Sequence, residues 1–181
     1  IGSMNYASLL QRGQLPRSIR LDNRFESFAT IWEPRDTIGG DLYWISSSQH
    51  DGPFVLTVAD CTGHGVPGAM LSLLVSTSLE RIFAKSTAVD PTSALKSLDY
   101  HVRAGLNQDR PDSETNDGCD AAMVRIYPDK QMLEYAGAKI DLFHVDQQQV
   151  HQYRSNRISL GYKDQTTTSI LPNQVVNYQK G

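Results

Sequence analysis

Two aspartates carry the chemistry this sequence offers most plainly. Asp41 closes the run Asp36-Thr-Ile-Gly-Gly-Asp41 and leads into Leu42-Tyr-Trp-Ile45, while Asp60 follows the apolar run Phe54-Val-Leu-Thr-Val-Ala59 and leads into Cys61-Thr-Gly-His-Gly-Val-Pro67. Between them the Asp51-Gly52 pair predicts a tight turn and therefore a β-hairpin. Antiparallel strands meeting there bring Asp41 and Asp60 to one end of the hairpin, beside the loop from Thr62 to Val66. Two carboxylates held that close repel unless a cation lies between them. Hard oxygen ligands select magnesium, manganese or calcium rather than zinc. Taken singly, each aspartate reads as a cap on a strand end; the paired placement and the flanking glycines favour a metal.

Other side chains gather around this pair. Arg35 lies just upstream of Asp41 and suits bidentate contact with a phosphate, against the plainer reading of an exposed surface arginine. His64, within Gly63-His64-Gly65, reads equally as a general acid or substrate contact and as a residue that hydrogen-bonds its own turn. Cys61 and Cys119 lack metal-type spacing, and a small buried thiol describes Cys61 better than a nucleophile. Asp117 and Asp120, viewed alone, are solvated loop charges.

The elements that must position these groups follow from periodicity. Residues 4–12 carry a short helical pattern with Tyr6, Leu9 and Leu10 on one face, closed by Gly13 and Pro16. Phe25 to Trp32 alternates and predicts a strand ended by Pro34. Residues 67–85 form the clearest helix, with Leu71, Leu74, Val75, Leu79, Ile82 and Phe83 at three- and four-residue spacing. Its N-terminus follows Asp60 directly, so backbone N–H groups and the helix dipole face the same corner and favour an anion such as phosphate. A second helix over 91–106 buries Ala94, Leu95, Leu98, Val102 and Leu106. The acidic stretch 107–120 has loop composition and fits no EF-hand register. Strands are expected over 121–127, 132–136, 140–145, 150–153 and 175–178, arranged as antiparallel meanders.

Bulk numbers exclude several classes. The 181 residues, 39% hydrophobic, suit one core and one domain. Seventeen basic against twenty acidic residues give a net charge of -3, which argues against nucleic acid as a partner. No apolar run approaches the roughly 18 residues a membrane helix needs. Two cysteines exclude a disulfide scaffold and favour a reducing, cytoplasmic setting.

Five motifs in order, Ile38-Gly-Gly-Asp-Leu-Tyr43, Val58-Ala-Asp-Cys-Thr-Gly-His-Gly-Val-Pro-Gly-Ala69, Asp117-Gly-Cys-Asp-Ala-Ala-Met-Val124, Leu133-Glu-Tyr-Ala-Gly-Ala-Lys139 and Arg157-Ile-Ser-Leu-Gly161, resemble the stage II sporulation protein E branch of the metal-dependent (PPM, 2C-type) protein phosphatases. Within that branch the sequence is similar to the pseudomonad regulator of biofilm formation and aggregation. The resemblance implies an α+β fold, an α/β/β/α sandwich of two antiparallel sheets flanked by helices. It divides the chain into a linker helix over 1–14 and a phosphatase domain over 15–181 that stops short of a further Ser/Thr-Asp-Gly metal motif. It further implies two manganese or magnesium ions held by Asp41, Asp60, the Cys61 carbonyl and Asp120, with Asp60 bridging. Metal-activated hydroxide would then hydrolyse phosphoserine or phosphothreonine without a covalent intermediate. The implied substrate is a phosphorylated STAS-type anti-sigma-factor antagonist, and the implied setting is a cytoplasmic domain behind a sensory or membrane-anchored region, with a homodimer left open. A catalytically weak phosphoprotein-binding module and a hydrolase of small phosphoesters are the competing readings.

Overall fold

The computed structural model describes residues 2–16, 24–46, 52–84, 88–165 and 172–179. Valine, phenylalanine and threonine make β2 (Phe54–Cys61) the best strand former, and it is the second strand of a five-stranded antiparallel sheet ordered β1-β2-β3-β4-β7. Its neighbours are β1 (Leu42–Ile45) and β3 (Cys119–Tyr127); β4 (Met132–Ala138) and β7 (Gln174–Asn177) complete the sheet. Alternation along β2 sends Val55, Ala59 and Cys61 to one face and Phe54, Leu56, Val58 and Asp60 to the other.

Helices cover the first face. α2 (Gly65–Phe83) buries Leu71, Val75, Leu79 and Phe83, and α3 (Pro91–Gly105) buries Ala94, Leu95, Leu98 and Val102. These residues form one cluster with Leu42, Trp44, Val55, Ala59, Ala121 and Met123. Trp44 stacks on Phe83 at 5.4 Å and donates its indole N–H to Glu80 Oε1 at 2.8 Å, so the largest ring of β1 is buried with its polar atom satisfied. The start of α3 is fixed by Asp90, whose carboxylate accepts from the Ser93 N–H at 3.0 Å, with Pro91 in the first turn. On the second face Ile45, Phe54 and Ile126 pack with Phe25, Tyr43, Leu56, Val124 and Leu133.

Helix and strand ranges agree with the periodicity, but three expectations change. Residues 25–32 form no strand: Phe25 packs edge-on against Phe54 at 5.5 Å, yet no described strand offers the segment a hydrogen-bond ladder. The meander breaks after β4, which pairs with β7 instead of β5. Lys139, at φ 61, turns the chain out of the main sheet, and β5 (Leu142–Asp146) with β6 (Gln149–Tyr153) form a separate two-stranded sheet. The N-terminal helix, α1 (Ser3–Gln14), runs past Gly13, and Tyr6, Leu9 and Leu10 are exposed instead of packed. The Asp51-Gly52 turn falls partly outside the described residues.

Candidate metal centre

Strand register assembles the carboxylates. Leu42 pairs with Ala59, so continuing the β1–β2 register by one residue sets Asp41 opposite Asp60, and the β2–β3 register sets Asp60 opposite Asp120. Directly opposed residues share a sheet face, which places Asp41, Asp60 and Asp120 in a row across neighbouring strands at one end of the sheet. Burial, together with the adjacent Asp41 carboxyl and its charge, pushes the Asp60 carboxyl above the usual carboxylate range. Asp120 differs, since its Oδ1 accepts the Ser159 hydroxyl at 2.5 Å.

The turn bearing Asp41 is held from three sides. Gln11 of α1 donates to the Gly39 carbonyl at 2.5 Å and accepts the Gly39 N–H at 3.1 Å, a two-point amide clamp. Trp32 donates its indole N–H to the Asp41 carbonyl at 2.9 Å. Beneath, a Cβ added at Gly40 would lie 2.6 Å from the Cys61 carbonyl oxygen and 3.1 Å from that of Gly63. Only a glycine lets the loop after β2 close over this turn, and that closure brings the Cys61 carbonyl beside the Asp41–Asp60 pair.

An open cavity of about 410 Å³ adjoins the row, lined by Arg35, Asp60, Cys61, Thr62, Gly63, His64, Asp120, Lys139, Ser159 and Tyr162. His64 Nδ1 lies 2.7 Å from Asp36 Oδ2, so its side chain pairs across the site and does not cap the helix it precedes. Arg35 reaches the cavity, and Asp117 does not line it. The remaining wall is held by α3. Asp99 accepts two hydrogen bonds from Arg103, at 2.9 and 3.0 Å, and one from the Gly161 N–H at 2.7 Å. Gln108 Nε2 donates to the carbonyls of Asp117 and Gly161, at 2.7 and 2.5 Å. Tyr162 then hydrogen-bonds Thr62 at the mouth.

Asp41, Asp60 and the Cys61 carbonyl supply the hard oxygens that magnesium or manganese prefers, and the raised Asp60 carboxyl beside the Asp41 charge marks where a cation would relieve their repulsion. Among the described residues no three His, Cys, Asp or Glu side chains group closely enough to hold an ion, so water or further oxygens must complete the shell. Asp36, Lys139 and Ser159 join the site without having been singled out by sequence.

Sheet, helix layer and carboxylate row define a PP2C-type phosphatase domain. The model of the stage II sporulation protein E family matches residues 50–180, and the chain belongs to that family, whose homologues are Ser/Thr phosphatases. The SiaA-PP2C domain of Pseudomonas aeruginosa is similar at 31% identity over 98% of this chain and 66% of its own, with a TM-score of 0.82. RsbX in complex with magnesium (18% identity, 80% and 63% covered, TM-score 0.55) shares the fold. So do the RsbU and RsbW domains of Rv1364c from Mycobacterium tuberculosis (20%, 79% and 37%, 0.56). No curated protein matches. The chain thus spans about two thirds or less of the length of these neighbours. No described helix is long and apolar enough to cross a membrane.

Proposed function

We propose that this domain hydrolyses phosphoserine or phosphothreonine on a regulatory protein, using manganese or magnesium held by Asp41, Asp60 and the Cys61 carbonyl, with Asp120 beside them. The observation that carries this reading is the juxtaposition of Asp41 with Asp60 across β1 and β2, with Asp60 and Asp120 opening onto a cavity that also holds Arg35. When bound, such ions supply an activated water and neutralise phosphate oxygens. The chain's own part is to orient and exchange protons. Arg35 takes phosphate oxygens bidentately, and Asp36 fixes a proton on His64 Nδ1, which leaves Nε2 to give or take one at the departing serine or threonine oxygen. The motif resemblance to the family carries the proposal of a STAS-type partner and of a cytoplasmic domain behind a sensory or membrane-anchored region.

A second reading, a phosphoprotein-binding module with little turnover, is favoured by the absence of a third converging ligand among the described residues. Manganese-dependent phosphate release from a phosphorylated STAS protein, measured beside para-nitrophenyl phosphate hydrolysis, separates the two. Release from the protein supports the phosphatase; tight phosphoprotein binding without release supports the module. Turnover of small esters alone would overturn the protein substrate.

A further inference from the structure

Lys139 stands out among the cavity residues that no role has claimed. It ends the Leu133-to-Lys139 motif at φ 61, in the left-handed region that a non-glycine residue keeps only when its surroundings impose it. Its surroundings do impose it. The Lys139 N–H donates to the Asn156 carbonyl at 2.8 Å, and a parallel bridge ties Lys139 to Ala121, the residue after Asp120. Preceding it, Ala138 is fully buried, and a Cβ at Gly137 would clash with the Tyr135 hydroxyl and lie 2.5 Å from the Ile140 carbonyl. The backbone is therefore anchored on both sides, and the side chain lines the same cavity as Asp60, Asp120 and Arg35. Among the described residues neither Arg35 nor Lys139 has a side-chain hydrogen bond or ion pair. Two free cations in a cavity edged by carboxylates match the charge of a phosphomonoester dianion whose remaining oxygens meet the metal side.

We infer that Lys139 is a second substrate-binding cation, which with Arg35 holds the phosphoryl group against the Asp41–Asp60 corner; this rests on the hydrolase reading above. Lysine suits the place as a point charge on a flexible stem, whereas Arg35 supplies the planar fork.

The test compares wild type, Lys139→Met and Lys139→Arg, all manganese-loaded, on a phosphoserine peptide, with inorganic phosphate as competitive inhibitor. Expected for Lys139→Met is a rise of about tenfold or more in KM and in the inhibition constant for phosphate, with manganese affinity and Tm unchanged. Lys139→Arg should stay within a few-fold of wild type. Lys139→Met kinetics and phosphate inhibition within twofold of wild type would overturn the assignment. Failure of wild type to turn over any phosphomonoester would instead sink the hydrolase reading, and calorimetric binding of inorganic phosphate would then decide on Lys139 alone. Tenfold weaker binding in Lys139→Met supports the assignment, and equal binding overturns it.

Discussion

Asp41 and Asp60 face each other at one end of the β1–β2 pair, and burial together with the Asp41 charge raises the Asp60 carboxyl above its ordinary range. Because the Asp60 carboxyl titrates higher in the folded chain than its ordinary 3.8, the native state holds the extra proton as pH rises past that value. Stability of the metal-free protein therefore falls with rising pH across that window. Asp60→Asn removes the cost: the metal-free variant should melt higher than wild type at neutral pH, and its Tm should vary less from about pH 4 upward. The same variant should lose the Tm increase that manganese gives wild type. An undiminished manganese-induced shift would show that Asp60 is no ligand.

Gln11 reaches from α1 to both backbone groups of Gly39, two residues before Asp41. Gln11→Ala leaves that buried N–H without its partner, at a cost of about 1 to 3 kcal/mol in urea unfolding. Manganese binding should weaken as well, since the Asp41 turn loses its clamp. Wild-type values for both would mean that the turn is set by Gly40 and Trp32 alone.

The Asp41–Asp60 pairing was legible because a hairpin converts sequence symmetry about a turn directly into proximity. Asp120 joined them only through a motif, since β3 arrives after two helices and no spacing rule spans that distance. Asp36, Lys139 and Ser159 stand inside the Asp36–Asp41 run and the last two motifs, but their roles were not legible for the same reason. Each reaches the site through a crossing, the His64–Asp36 pair, the bridge to Ala121 and the bond to Asp120, that local periodicity does not encode. Residues 25–32 show the converse: their alternation predicts a strand, yet residues 26–31 are exposed, Ile31 at 91%, and alternation cannot report whether a ladder partner exists.

Asp99, 5% exposed, holds the Arg103 guanidinium and the Gly161 N–H together, and the loop so fixed carries Ser159 to Asp120. Breaking a buried pair from one side leaves an uncompensated charge, so Asp99→Ala should lose about 3 to 5 kcal/mol of unfolding free energy. Asp99→Asn retains part of the hydrogen bonding and should lose less. Equilibrium denaturation checks both, and a loss under about 1 kcal/mol for Asp99→Ala would reduce the pair to a surface-like contribution.

Cys61 and Cys119 are cross-strand partners, both buried, each next to a carboxylate of the row. The interaction of the Cys61 thiol as donor toward Cys119, burial and the nearby Asp60 and Asp41 charges all push the Cys61 thiol well above its ordinary 9.0. The thiolate that would react is therefore suppressed in the folded protein, and native protein should resist thiol-disulfide reagents at neutral pH until denaturant exposes both sulfurs. The linkage is opposite to that of an ordinary salt-bridged acid. Above about pH 9 the unfolded chain loses the Cys61 proton while the folded chain keeps it, so the stabilisation present at lower pH drains away as pH rises. Cys61→Ala removes this titration and should flatten the alkaline limb of a Tm against pH curve, whatever it costs in packing. Rapid labelling of native protein at pH 7, or an alkaline limb unchanged in Cys61→Ala, would show that the pair is open to solvent and that its placement beside the metal corner is looser than the β2–β3 register requires.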